Sequence, residues 1–140
     1  MKEKIVANDR KYLKTLVDKE INQCGNECNL NHIDISKIKD LSGLFEGSEF
    51  NGDISKWNVS NVTTMFYLFC DSKFNGDVSN WKPLRIKNTI NMFENCSALI
   101  PYWFGDSNNE VVRKIKSYDL FNKMNDELVE KEPMIKKMKI

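Results

Sequence analysis

FNGDISKW at residues 50–57 returns as FNGDVSNW at residues 74–81. Six of the eight positions are identical, and the two copies start 24 residues apart. Cut at that period from Leu30, the chain reads LNHIDISKIKDLSGLFEGSEFNGD, ISKWNVSNVTTMFYLFCDSKFNGD and VSNWKPLRIKNTINMFENCSALIP, with no gaps. Apolar residues then fall into shared columns: Leu30/Ile54/Val78, Ile33/Trp57/Trp81, Ile38/Val62/Ile86, Leu44/Leu68/Met92 and Phe45/Phe69/Phe93. A further column holds Ile35/Val59/Pro83. An internal repeat is therefore the dominant signal in this chain.

Each unit opens with a β-branched and aromatic stretch in rough alternation, such as ISKWNVSNV, which predicts a short strand. A denser apolar block follows, such as TTMFYLFCDS, which predicts one or two helical turns. The Asn-Gly-Asp bend closes the unit, because Gly tolerates positive φ and Asn and Asp bond their own backbone. The expected fold is α/β: a leucine-rich-repeat-like solenoid of about three 24-residue strand-helix units, capped by an N-terminal and a C-terminal helix.

The 140 residues are expected to form a single domain. Residues 1–29 form the N-terminal cap, with an edge strand at Lys4–Ala7 and Asn8 or Asp9 capping a helix that ends at Gly25. Leu13, Leu16, Val17 and Ile21 share one face of that helix. The repeats occupy residues 30–101. Residues 102–132 form the C-terminal cap, with Ser107 or Asn109 opening a helix over about 110–129. Val111, Ile115, Tyr118, Phe121, Met124 and Leu128 recur there at helical spacing. Residues 133–140 read as a flexible tail.

Charge is plentiful but balanced, with 21 Lys and Arg against 20 Asp and Glu. The balance also holds within the N-terminal, repeat and C-terminal segments, so the basic stripe of a nucleic-acid binder is missing and no nucleic-acid partner is expected. The longest apolar run is Met65–Cys70, far short of the ~20 residues that span a membrane. Residues 1–20 lack the apolar centre of a secretory signal, and four cysteines in that setting are expected to stay reduced.

The pattern F-N-x-D-[IV]-S-x-W-x-V-S-x-V-T-x-M-x-x-[LM]-F, carried by Phe50 to Phe69 and begun again at Phe74, resembles the bacterial BspA-like leucine-rich-repeat proteins. The resemblance covers about residues 30–100. It implies stacked repeats used for contact with other macromolecules, often at cell surfaces, with no catalytic residues and no cofactor. A cytoplasmic location is expected from residues 1–20, and the resemblance implies a cell-surface or secreted one as the alternative.

Several constellations invite a chemical reading. Cys24, Cys28 and His32, each four residues apart, offer zinc-compatible atoms, but a structural zinc site wants four ligands and a different spacing. The simpler reading is a buried thiol and a satisfied histidine, so no metal is expected. Cys28 with His32 also supplies the pair a small thiol enzyme would need, although no nucleophile elbow or substrate pocket accompanies it. Cys70 shares a column with Glu46 and Glu94, which predicts an exposed thiol. Asp53 and Asp77 stack one period apart; turn formation accounts for them more simply than calcium. No glycine precedes a Lys-Ser or Lys-Thr pair, so a phosphate loop is absent.

Residues between the buried columns should point outward and form an extended recognition face. The expected partner-binding set is His32, Asp34, Lys56, Asn58, Ser60, Asn80 and Lys82, with Tyr67 as an aromatic anchor. The expected function is a non-catalytic protein–protein interaction module, acting as a monomer or weak dimer. The alternatives are a phage- or mobile-element-type regulator or inhibitor of a host protein or nucleic-acid complex, and a small thiol enzyme using Cys28 and His32.

Overall fold

Asp9 opens the first helix, α1 (Arg10–Cys24), with an extended backbone and a carboxylate that accepts the Tyr12 N–H at 2.8 Å. Leu13, Leu16 and Val17 turn inward from it. Gly25, at φ 90°, ends it by donating its N–H to the Ile21 carbonyl at 2.8 Å. The computed structural model describes residues 2–138, and side chains from Lys2 to Pro133.

Strand β1 (Ile5–Val6) precedes α1 and pairs in parallel with β2 (Ile33–Asp34), with Ile5 opposite Ile33 and Val6 opposite Asp34. The last helix, α2 (Asn108–Met138), starts where Ser107 accepts the Val111 N–H on its carbonyl and the Glu110 N–H on its hydroxyl. It continues through Pro133, so the expected loose tail is helical as far as Met138. Residues 139–140 of that tail lie outside the described residues.

Among the described residues these two short strands and two helices are the only regular elements, which makes the protein a small α/β domain. The expected leucine-rich-repeat-like solenoid of three strand-helix units is thereby overturned. Residues 35–107 contain no α-helix and no strand longer than a single bridge. The reason lies in the apolar block that was expected to coil. Gly43, Tyr67 and Asn91 have φ of 62°, 57° and 52°, and Gly47, Asp71 and Asn95 have φ of 63°, 53° and 51°. Two left-handed residues four apart prevent a right-handed helix from propagating.

The backbone is satisfied by a different scheme. The N–H groups of Leu41, Gly43, Phe45 and Gly47 donate to the carbonyls of Thr64, Phe66, Leu68 and Cys70 at 2.9–3.0 Å. One period on, Met65, Tyr67, Phe69 and Asp71 donate to Asn88, Ile90, Met92 and Glu94 at 2.8–3.0 Å. The residues in between close tight turns onto carbonyls three positions back, as in Leu44 to Leu41 and Leu68 to Met65. Alternate amides thus bond outward to the next block and inward to their own turn, as buried backbone donors require.

Side chains follow the same spacing. Phe69 stacks between Phe45 (5.9 Å) and Phe93 (5.6 Å) and lies 4.4 Å from Phe74. The Trp57, Trp81 and Trp103 rings stack at 6.5 Å, and their indole N–H groups donate to Leu30, Ile54 and Val78 carbonyls at 2.9–3.0 Å. Each such aromatic pair adds about 0.5–1.5 kcal/mol beyond the area it buries. One continuous core runs from Ala7 and Leu13 through these columns to Val111 and Ile115.

The left-handed column separates the two backbone schemes by experiment. Gly43→Ala is expected to cost about 1–2 kcal/mol, because a side chain is strained at positive φ. Tyr67→Asn is expected to be nearly neutral, since Asn91 already occupies the equivalent place. Urea unfolding of the two variants measures this. A stabilising Gly43→Ala, as a helical position would give, contradicts it.

Candidate functional site

The β1–β2 edge positions four of the expected partner-binding residues together. His32, Asp34, Lys56 and Asn58 line a shallow cleft of about 500 Å³, joined by Lys2 and Lys4. Asp34 holds the Ser36 N–H at 2.8 Å and pairs with Lys4 at 3.1 Å. The bonds from Ser36, with Lys4 beside them, bring its carboxyl from an ordinary 3.8 down to about 2. Asn58 repeats the same turn one period later, accepting the Ser60 N–H at 3.0 Å.

The other expected residues lie elsewhere. Ser60 and Asn80 are exposed and outside the cleft. Lys82 pairs with Asp119 of α2 through both carboxylate oxygens at 3.0 Å. Tyr67 is half-buried, edge-on to Phe66 at 5.7 Å, and lies outside the cleft.

Behind the cleft, the buried Glu20 of α1 meets three groups. Lys2 donates to it, which together with Cys24 raises the ammonium's affinity for its proton and lowers that of the carboxylate. Lys2 also donates to the Cys24 sulfur at 3.1 Å. His32, with a side chain only 9% exposed, brings Nε2 to 3.4 Å from Glu20 Oε1 without hydrogen-bond geometry. Cys28 lines a neighbouring hollow with His32 and Cys24, but no hydrogen bond joins its thiol to the imidazole. Burial pushes that thiol up, away from the thiolate a nucleophile requires.

Among the described residues no three His, Cys, Asp or Glu side chains converge as a cation-ligand set. Asp53 and Asp77 spend their carboxylates on turns, accepting the Ser55 and Ser79 N–H groups at 2.9 and 2.8 Å. The Asn-Gly-Asp bends serve construction in the same way: Asn75 N–H donates to the Asn51 side chain at 2.7 Å. Cys70, expected to face solvent, is buried at 6% exposure, because the apolar block folds inward around Leu68 and Phe69. Burial raises its thiol as well.

A second surface was absent from the expected set. Of the six apolar positions on α2, only Val111 and Ile115 are buried. Tyr118 stacks on Tyr102 at 3.9 Å, and Phe121, Met124 and Leu128 are exposed, with Val129 beside them. Spacing showed the stripe but gave no sign that the body ends before the helix does.

Residues 14–128 match the model of a family described as "Mycoplasma protein of unknown function, DUF285", and the chain belongs to that family. No curated protein and no solved structure matches it. Among the described residues no helix is long and apolar enough to cross a membrane.

Carboxylates held below their ordinary range set the acid limit of the fold. Their contribution is complete above the unfolded values and is lost as pH falls through the folded ones. For Asp34 that window runs from 3.8 down to about 2. Asp53, Asp77, Glu20 and Glu110 are displaced in the same direction. Asp34→Asn keeps the turn acceptor and removes the charge. Urea midpoints at about pH 6 and about pH 3 should therefore differ less in this variant than in the wild type.

Proposed function

We propose that this protein is a non-catalytic protein–protein interaction module. The row of exposed apolar side chains on α2 carries this reading. Phe121 and Leu128 are 66% and 63% exposed, and contiguous apolar surface of this kind marks an association site. Leu99 and Ile100, also exposed, line a hollow of about 620 Å³ together with Tyr118, so the apolar ground continues from the helix onto the body.

The resemblance of Phe50–Phe69 to BspA-like proteins that contact other macromolecules supports the same reading. The Cys28–His32 pair offers weaker support for thiol chemistry: the thiol is held protonated by burial, and the imidazole faces Glu20 instead of the sulfur.

Bait chromatography with the wild type, Phe121→Asp and Lys56→Glu checks the reading. The expected result is a defined protein partner retained by the wild type and lost with one of the two surface changes. Retention of nothing, together with a turnover that Cys28→Ala abolishes, would establish the thiol enzyme instead.

A further inference from the structure

The hydrogen bonds that join the tight-turn blocks have a direction. Within residues 41–47 and 65–71, alternate N–H groups all point to the following block, so donors face one end of the stack and acceptors the other. The acceptor end is closed within the chain, where the Arg10 guanidinium donates to the Ser42 carbonyl. The donor end is open. Thr89, Asn91, Phe93 and Asn95 stand one period beyond the donors Met65, Tyr67, Phe69 and Asp71, and Asn91 and Asn95 repeat the left-handed backbone of Tyr67 and Asp71. Their four N–H groups meet no acceptor among the described residues. The carbonyls due to receive them one period on belong to Val112, Lys114, Lys116 and Tyr118. Those residues lie in α2, where carbonyls bond along their own helix.

A row of unpaired backbone groups is a template for another chain. We propose that the donor edge at residues 89–95 takes a short peptide segment of a partner protein, folded in the same tight-turn form as the blocks. The molecule already makes this contact twice internally, each time with four carbonyls two residues apart. The inference rests on the protein-binding reading above, but not on the apolar row of α2.

The surroundings of the edge select a peptide over other occupants. Thr89 and Asn91 line a hollow of about 520 Å³ with Lys87, Ile90, Phe104 and Asp106. Ile90 is 60% exposed and Phe104 half-buried, so the two offer apolar ground for a side chain of the incoming segment. Lys87 and Asp106 bring opposite charges to the same wall, which suits neutral peptide carbonyls better than a free anion. A second copy of this chain is a poorer match. Two donor edges cannot pair with each other, and the acceptor end is closed by Arg10.

Amide hydrogen exchange, read by NMR on the isotope-labelled full chain, tests the proposal. The probe is a synthetic peptide copying residues 84–97, the stretch that meets such an edge inside the fold. In the free chain Asn91, Phe93 and Asn95 should exchange much faster than Tyr67, Phe69 and Asp71. Saturating peptide should slow the edge amides about tenfold or more and leave those of α1 unchanged. Phe121→Asp should respond as the wild type does. Edge amides already protected in the free chain, no slowing at millimolar peptide, or equal slowing by acetate would each overturn the proposal. The protein-binding reading is tested apart from it: a defined partner retained in bait chromatography and lost with Phe121→Asp sustains that reading without this edge.

Discussion

The backbone hydrogen bonds between residues about one period apart are what the rest of the structure depends on. Each tight-turn block sends every second N–H to the next block, as Gly43 does to Phe66 and Tyr67 to Ile90. Left-handed backbone at Gly43, Tyr67 and Asn91, and again four residues later, points those donors sideways. With successive blocks held in register, Phe45, Phe69 and Phe93 must stack, and the tryptophan indoles reach the carbonyls of Leu30, Ile54 and Val78. Regular helix and strand are needed only at the two ends, where α1 and the root of α2 close the aromatic columns.

Much of this was legible in the sequence, but not its local form. The period, the buried columns, a cap at Asn8 or Asp9 and the Gly25 stop all follow from residue type and spacing; that Asp9 is the cap comes from the structure. The conformation of the apolar block does not, because hydrophobic density is the same in a helix and in a run of tight turns. A subtler signal was present. Gly43 and Gly47, Asn91 and Asn95, and Asp71 are residues that tolerate positive φ, set four apart in matching columns. Tyr67 obscured that column, since an aromatic side chain argues against the left-handed region.

The surface was legible in the same partial way. Alternation put His32, Asp34, Lys56 and Asn58 on one outward face; all four line one cleft, but the His32 side chain is only 9% exposed and turns in toward Glu20. Lys2 and Lys4 joined them from a segment whose position only tertiary structure determines. The apolar stripe of α2 is visible by spacing, but spacing does not say how much of it is covered. Whether a stripe is buried depends on the length of the body beside it, and the body reaches only to Ile115 and Tyr118. Charge averaged over the C-terminal segment also concealed its alternation between a basic stretch at 113–123, an acidic one at 126–132 and a basic one at 136–139.

The account stands on hydrogen bonds that cross from one block to the next, and these can be observed directly. Scalar couplings transmitted through hydrogen bonds, measured by NMR on isotope-labelled protein, report which carbonyl each amide meets. The expected correlations run from Met65 to Asn88, Tyr67 to Ile90 and Phe69 to Met92. Correlations from these amides to carbonyls four residues back would place the block in an α-helix and contradict the account.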